Sequence, residues 1–397
     1  IESEDRARTL IHGIEEALME QMSGLSEDRL QAQTPKDAIG EAFADFGLNP
    51  LEVPVHESVA AIKKQREALR SRILVGLVSW SSSLRRKGSE HGARLDDIIE
   101  RCDPDPWRRN LRKAIREGDG PALDRLAGSV EMAEQPIMTV LQLSDALRDE
   151  QLSAPIEKLL RRAQWEAPQD FWTNLSLGMH LLGWIEPKKG DPETGDDVRM
   201  VRMDLGGFDF GDELPPGSPM SAAPSSSGIE EAIGFLRAAL AARPDASLAW
   251  TFLGSALSGA GHVDEAIAAY GMMENDDLNP GALDFLIANT LRNAHRPREA
   301  LPYLRRAAEG DPDRRGSQFS LGQTLAQLGE YKQARVALMK AVEVEPDEDN
   351  ERFGLIELGK HVDLDEAMVH KLLANAQSGN GDLEESIASL QLVLNAN

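Results

Sequence analysis

The chain has a single cysteine, Cys102, few aromatic residues and no long apolar run. One cysteine excludes an intramolecular disulfide framework and a cysteine-rich zinc site, and it suits a reducing compartment. The sequence shows neither the run of about 18 apolar residues that a membrane-spanning helix needs nor a basic-then-apolar leader. We therefore expect a cytoplasmic protein that does not insert into a membrane.

Positive charge is scarce relative to negative charge. The 397 residues include 67 acidic and 43 basic ones, which gives a formal net charge of −24 at pH 7. Phosphate backbones and anionic membrane surfaces repel such a chain unless its basic residues are gathered into a patch. Nucleic acid is therefore not expected as a partner.

The abundant residue types favour helices. Apolar residues make up 41% of the chain, which is enough for a sizeable core, although aromatic residues contribute only 5%. Ala, Leu, Glu and Arg are frequent and runs of Val, Ile or Thr are few, as is typical of helices rather than sheets. The composition predicts an all-α protein. Because the chain begins with Ile1 rather than methionine, we also expect it to be a piece of a longer protein.

Residues of the same type recur at intervals of 34 residues in the second half of the chain. A repeat of this length is typical of stacked helix pairs. The matching positions are Ala232, Ala266, Ala300 and Ala334; Leu253, Ile287 and Leu321; Gly254, Ala288 and Gly322; and Leu257, Leu291 and Leu325. Helical spacing within one interval places Trp250, Leu253 and Leu257 on one face of a first helix. The same spacing places Ala266 and Tyr270 on a second helix.

This pattern resembles the tetratricopeptide repeat, whose signature spaces aromatic residues, a Leu-Gly pair, alanines and a proline over 34 residues. The best copy here supplies Trp250, Leu253, Gly254, Ala266 and Tyr270. The resemblance implies a right-handed α-solenoid of helix-turn-helix repeats, preceded by a helical N-terminal segment.

The pattern divides the chain into five parts. We expect a helical N-terminal region at 1–100, degenerate repeats at 101–183, a repeat array at 229–350, and C-terminal helices with a divergent repeat at 351–397. The remaining part, 184–228, is rich in Pro, Gly, Ser and acidic residues and is predicted to be a disordered insertion. It splits one repeat, because Trp172, Leu175 and Met179 resemble a first helix whose second helix begins near Ala232.

The upstream half resembles the region that follows the catalytic domain in large bacterial serine/threonine protein kinases with C-terminal tetratricopeptide repeats. The most specific pieces are DPDPWR, from Asp103 to Arg108, and QDFW, from Gln169 to Trp172. By this resemblance the chain is similar to the non-catalytic tail of such a kinase, and a kinase domain in cis is a possible partner.

No catalytic motif accompanies that resemblance. Asp209, Phe210 and Gly211 spell the metal-binding DFG of kinases, but the sequence lacks the glycine-rich loop, the strand lysine and the HRD motif that give DFG its function. The eight histidines are scattered, and His262 is predicted to be exposed in an inter-helix turn. We expect no catalytic residue, no metal site and no cofactor in this chain.

The repeat resemblance implies a concave groove lined by the first helix of each repeat. At the family's groove positions the candidate peptide-binding residues are Thr251, Ser255, Phe285, Asn289, Arg292, Asn293, Phe319, Gln323 and Gln327. Amide side chains suit an extended peptide backbone, and Phe285 and Phe319 are expected to offer apolar anchors. The alternative is that the groove packs another part of the same polypeptide.

Three functions remain open at this point. The first is a non-enzymatic scaffold that binds a protein or peptide. The second is the C-terminal fragment of an active serine/threonine protein kinase whose catalytic domain lies outside this chain. The third is a regulatory sensor that binds a small molecule.

Overall fold

The structure, a computed structural model, describes residues 2–23, 38–86, 89–150, 152–183, 226–273, 280–310 and 315–343. These residues form seventeen α-helices and a 3₁₀ turn at Met132–Glu134, with no β-strand among them, so the predicted all-α class is confirmed. The chain divides into two units, Ile1–Ser176 and Leu177–Asn397. The helices are α1 (Glu2–Ser23), α2 (Ala38–Phe46), α3 (Val55–Lys63), α4 (Glu67–Arg86), α5 (His91–Cys102), α6 (Pro106–Glu117), α7 (Gly120–Ser129), α8 (Ile137–Asp149), α9 (Ser153–Glu166), α10 (Phe171–Leu181), α11 (Ser226–Ala242), α12 (Ser247–Gly259), α13 (Val263–Gly271), α14 (Pro280–Asn293), α15 (Pro297–Gly310), α16 (Arg315–Gln327) and α17 (Tyr331–Glu343).

The first unit begins with five helices packed around an apolar core. Phe43 of α2 and Trp80 of α4 are buried, and their rings stack with centroids 5.7 Å apart. Helix α4 continues past Trp80 and ends at Arg86. The rest of this unit consists of helix pairs, in which α6 packs on α7 and α8 packs on α9.

In the second unit each helix from α11 to α17 packs on the next one along the chain. The four alanines of the 34-residue ladder, which are Ala232, Ala266, Ala300 and Ala334, have no exposed surface. Each lies on the second helix of a pair, where a larger side chain would push the two helices apart. This sequential packing confirms the predicted solenoid of helix pairs over residues 226–343.

Glycines on the first helix lie very close to the second helix in the pairs α12–α13 and α16–α17. A Cβ added at Gly254 of α12 would lie 2.5 Å from the ring of Tyr270 in α13. A Cβ added at Gly322 of α16 would lie 2.6 Å from Cγ of Leu338 in α17. These separations are far below van der Waals contact, so the helices require glycine at both positions.

The same contact joins α10 to α11, although the two helices are separated by 184–225. A Cβ added at Gly178 would lie 2.8 Å from Cγ of Leu236. The intervals from Gly254 to Tyr270 and from Gly322 to Leu338 are both 16 residues, whereas that from Gly178 to Leu236 is 58. Gly178 of α10 thus approaches α11 as closely as Gly254 and Gly322 approach α13 and α17, and one repeat split by an insertion stays the prediction for this segment.

The turns between paired helices repeat as well. Gly261, His295 and Gly329 follow α12, α14 and α16 at intervals of 34 residues, and all three have positive φ, of 83°, 56° and 80°. After each turn a backbone N–H donates to the carbonyl five residues earlier, as in His262 to Leu257 at 2.8 Å. This left-handed turn satisfies carbonyl groups at the end of the first helix, which have no hydrogen-bond partner within the helix itself.

Tyr270 connects three helices of the array. The side chain is buried, and its hydroxyl lies 2.9 Å from Oγ of Ser255 in α12 and also hydrogen-bonds with Thr290 in α14. Burial raises the pKa of Tyr270 to about 12, although the hydrogen bonds with Ser255 and Thr290 lower it. The folded repeat thus keeps this phenol protonated.

One predicted boundary differs from the structure. Helix α11 begins at Ser226, inside the serine-rich sequence, so the last three residues of the predicted 184–228 insertion are helical. The rest of the insertion, including the DFG triplet, and the predicted C-terminal helices at 351–397 lie outside the described residues. None of the helices in the described part of the chain is both long and apolar enough to cross a bilayer.

Replacing Gly178 tests the split repeat. Gly178→Ala is expected to reduce the free energy of unfolding by about 1–3 kcal/mol, because the new methyl group overlaps Leu236. Gly234→Ala in α11 is the matched control: nothing lies within 4 Å of a Cβ there, and we expect a gain of about 0.5–1 kcal/mol. Urea unfolding monitored by circular dichroism measures both changes. Equal effects of the two substitutions would contradict the packing of α10 on α11.

Tyr270 is expected to make the array sensitive to high pH. Because the folded pKa is about 12 and the unfolded one is 10.0, this contribution is complete below pH 10 and is lost as the pH rises toward about 12. The loss should amount to about 2–3 kcal/mol. Urea unfolding between about pH 9 and 12 should show a smaller decline in Tyr270→Phe than in the wild type. Tyr331→Phe, at a partly exposed tyrosine, should behave like the wild type.

Candidate peptide-binding face

The structure corrects four of the predicted groove residues. Thr251 and Ser255 of α12 are 3% and 1% exposed, and Phe285 and Phe319 are each 3% exposed. All four lie inside the array instead of lining an accessible groove. The apolar anchors predicted at Phe285 and Phe319 are therefore not presented on the surface.

The two buried hydroxyls in α12 are satisfied within the protein. The Oγ1 of Thr251 donates to the carbonyl of Ser247 at 3.0 Å, and Oγ of Ser255 donates to the carbonyl of Thr251 at 3.0 Å. Ser255 also contacts the hydroxyl of Tyr270. Buried polar groups of this kind stabilise the contact between helices and are not available to a ligand.

The accessible part of the predicted face lies on α14 and α16. It consists of Asn289, Arg292, Asn293, Gln323 and Gln327, which we call the amide–arginine strip. Gln327 is exposed, and the other four side chains are partly buried. The strip presents four neutral amides and one guanidinium.

Arg292 connects the two helices of the strip. Its Nη1 donates to Oδ1 of Asn289 at 3.0 Å within α14, and its Nη2 donates to Oε1 of Gln323 in α16. The guanidinium is thereby held in a fixed orientation between two successive repeats. A rigid donor group bordered by amides is suited to hydrogen bonding with a ligand rather than to binding an apolar side chain.

Asp284, the acidic residue of α14, pairs with an arginine of α15. Nε of Arg306 in α15 donates to Oδ2 of Asp284 at 2.9 Å, and this hydrogen bond raises the pKa of Arg306. The same guanidinium lies over the ring of Tyr303, 4.6 Å from its centroid. Asp284 occupies an aromatic position of the repeat pattern, and its pairing with Arg306 shows how the carboxylate is accommodated there.

The remaining sequence candidates show no arrangement suited to catalysis. His262 is exposed as predicted, with Nε2 3.4 Å from Oε1 of Glu230. Cys102 is buried, and burial raises the pKa of its thiol. Within the described ranges, no three His, Cys, Asp or Glu side chains lie close enough together to hold a metal ion.

The two motifs of the upstream half have structural roles. In DPDPWR, Asp105 begins α6 by accepting a hydrogen bond from the backbone of Arg108 at 2.8 Å, while Asp103 is buried and accepts from the Arg108 side chain. In QDFW, Oδ1 of Asp170 accepts from the backbone and the hydroxyl of Thr173, both at 2.8 Å, at the start of α10. The sequence did not indicate the buried ion cluster around Asp103, although its high density of Asp and Arg was the available signal.

Solved structures with low identity also resemble the chain. One is described as YrrB, a TPR protein with an unusual peptide-binding site: it is 17% identical, with 60% of this chain and 92% of that chain covered and a TM-score of 0.36. MamA is 17% identical, with coverages of 43% and 83% and a TM-score of 0.35. MamA from Desulfovibrio magneticus RS-1 is 16% identical, with coverages of 43% and 85% and a TM-score of 0.35. These TM-scores are too low to support an argument.

A family model identifies the repeats. No curated protein matches the chain. The model for the tetratricopeptide repeat matches residues 225–280 and 285–350, which include α11 to α17. Helix pairs with a 34-residue interval, buried alanines and small residues at the helix contacts are found in the same segment. The array from α11 to α17 is therefore a solenoid of tetratricopeptide repeats.

Proposed function

We propose that the repeat segment is a non-catalytic scaffold that binds an extended peptide of a partner protein along the amide–arginine strip. The observation that carries this proposal is the pair of hydrogen bonds from Arg292 to Asn289 and Gln323, which connects two repeats on one accessible face. Amide side chains donate and accept hydrogen bonds, as a peptide backbone does. An extended peptide lying across α14 and α16 is therefore the ligand that fits the strip.

Arg292 adds a preference for negative charge. Asn289 and Gln323, which accept hydrogen bonds from it, are neutral, and a carboxylate of the peptide can replace one of them. A hydrogen bond from a guanidinium to a carboxylate is about twice as strong as one to a neutral acceptor. We therefore expect peptides with an acidic residue, or a free C-terminus, at this position.

We further propose that the parent protein is a bacterial serine/threonine protein kinase, or a relative of one, that works in the cytoplasm. This proposal rests on the resemblance of DPDPWR and QDFW to the region after the catalytic domain of such kinases. The scaffold would then recruit substrates or pack against the kinase domain in cis. The alternative is that this chain is the C-terminal fragment of an active kinase. It rests on the same resemblance, and it differs only in requiring an active catalytic domain upstream of Ile1.

A kinase assay and the gene sequence test these proposals together. Purified residues 1–397 are expected to transfer no phosphate from ATP, because the chain lacks the glycine-rich loop and the HRD motif. The DNA upstream of the codon for Ile1 is expected to encode a kinase domain in the same frame. A stop codon there, with no kinase frame, would exclude the hypothesis that this chain is a fragment of a kinase. Phosphoryl transfer by the purified chain would overturn the hypothesis of a non-catalytic scaffold.

Substitutions in the strip test the peptide-binding proposal. For peptides selected from a random library on the full chain, Arg292→Ala is expected to weaken binding by about 10–100-fold, which is the effect of losing a hydrogen bond to a charged group. Asn289→Ala should weaken binding by up to about 10-fold. Fluorescence polarisation with labelled peptides measures the affinities.

Arg298→Ala is the matched control for these substitutions. Arg298 is an exposed arginine on α15, the second helix of the same repeat, and its replacement should leave the affinity unchanged. If Arg292→Ala and Asn289→Ala bound the selected peptides as tightly as Arg298→Ala, the strip would not be the binding face.

A further inference from the structure

Positive charge is concentrated in one segment of this acidic chain. Residues 63–116, from the end of α3 to α6, contain 15 Lys and Arg but only 7 Asp and Glu, which gives a net charge of +8. The remaining residues of the chain together carry a net charge of −32. An acidic chain whose basic residues are segregated in this way can still attract an anionic partner locally.

Many arginines of this segment are neutralised inside the protein. Asp103, for example, is buried and accepts from Nη2 of Arg108 at 2.7 Å and from Nη1 of Arg112 at 2.6 Å. Further ion pairs of these arginines are Arg72–Glu15, Arg85–Asp96, Arg101–Asp97 and Arg116–Glu100. Charges that are paired in this way are not free to attract a ligand.

Four cations at the junction of α3 and α4 remain unpaired. Lys63, Lys64, Arg66 and Arg70 make no ion pair and no side-chain hydrogen bond with the described part of the chain. Lys63, Lys64 and Arg66 are exposed, and Arg70 is partly buried. We call these four residues the basic junction. Glu67 is the only acidic residue between Lys63 and Arg70 in the sequence, so the junction keeps a net positive charge.

The fold brings the two ends of the junction close to one atom. Burial raises the pKa of the Cys102 thiol at the end of α5, and the positive charges of Lys63 and Arg70 counteract that rise. Both cations therefore lie within electrostatic reach of the same sulfur atom. The backbone N–H of Arg70 donates to the carbonyl of Arg66 at 2.9 Å, so these two residues are one helical turn apart. The junction is thus a compact patch instead of a set of scattered charges.

Helix stability accounts for only part of the junction. Lys63 lies in the last turn of α3, where a cation is favourable because the C-terminal end of a helix carries partial negative charge. Arg66 lies immediately before α4 and Arg70 lies in its first turn, where the partial charge is positive. The two arginines therefore oppose the α4 dipole, and no ion pair compensates for this. Residues that cost stability without an internal partner are typical of functional surfaces.

We propose that the basic junction binds an acidic tract of a partner protein, a run of about four Asp or Glu residues that matches its four cations. Each carboxylate accepts a hydrogen bond from a Lys or Arg side chain that has no acceptor among the described residues. The tract also places negative charge at the start of α4, where the helix dipole favours it. The junction belongs to the first unit, so this proposal does not depend on peptide binding by the amide–arginine strip of the second unit.

A protein tract fits the junction better than other polyanions do. The sequence from Lys63 to Arg70 contains no aromatic residue on which a nucleic-acid base could stack. None of the exposed large apolar side chains in the described part of the chain lies in the junction, so it offers no group that inserts into a bilayer. A nucleic acid or a membrane also extends well beyond the junction and meets the repulsion of the acidic remainder of the chain.

Binding of a fluorescein-labelled hexaglutamate peptide to the full chain tests the proposal, with the Kd measured by fluorescence polarisation. We expect saturable binding at about 10 mM salt that weakens at about 150 mM, because the Debye length falls from about 30 Å to about 8 Å. Arg66→Glu combined with Arg70→Glu should weaken binding by about 10-fold or more, since two attractions become repulsions. Arg125→Glu combined with Lys158→Glu is the matched control. These exposed cations of α7 and α9 give the same change in net charge, and the Kd should stay nearly unchanged.

Three results of this experiment would overturn the proposal. The first is equal weakening by the two double variants, which would show that net charge alone attracts the peptide. The second is the absence of binding by the wild type at low salt. The third is tighter binding of a DNA duplex, or of vesicles of phosphatidylserine and phosphatidylcholine in equal parts, which would assign the junction to another class of partner.

Thermal unfolding followed by circular dichroism separates binding from folding. Arg66→Glu combined with Arg70→Glu is expected to keep or raise the Tm, because acidic residues suit the first turn of α4. A lower Tm would show that the two arginines stabilise the fold, and it would overturn their assignment to a binding surface.

Discussion

The close contact between the two helices of each repeat is the constraint on which the rest of the array depends. Gly178, Gly254 and Gly322 lie against Leu236, Tyr270 and Leu338, and no Cβ fits at any of the three contacts. Ladder alanines without exposed surface lie on the facing helices. Because the helices approach at a small residue, apolar side chains on either side of the contact can interlock. The next pair then stacks on a regular surface.

This packing also determines which polar residues can reach a partner. Thr251 and Ser255 turn inward: the Thr251 hydroxyl donates to the carbonyl of Ser247, and the Ser255 hydroxyl donates to the carbonyl of Thr251 and contacts the hydroxyl of Tyr270. Arg292 of α14 and Gln323 of α16 meet instead at the boundary between two repeats, where their side chains are only partly buried. The accessible face is thus formed by stacked repeats, and no single helix contains it.

The two units use charge differently. Arg306 and Asp284 pair at the surface of the repeat segment, where solvent weakens the interaction. In the first unit, Asp103 and Arg112 are withdrawn from water, so removing either partner would leave a buried charge without compensation. The DPDPWR sequence therefore contributes both the start of α6, through Asp105, and a buried ion cluster.

The sequence by itself determined the helical class and the 34-residue interval. The helical class follows from composition and the interval from local spacing: the ladder of Ala232 and its equivalents fixes where helices must approach, whatever else surrounds them. Only the tertiary structure decided which groove positions are accessible. Phe285 and Asn289 occupy neighbouring turns of one helix, but stacking of the adjacent repeats buries the phenylalanine and leaves part of the asparagine exposed. The structure also decided that Arg112 is buried against Asp103, because that burial depends on helices that are distant from Arg112 along the chain.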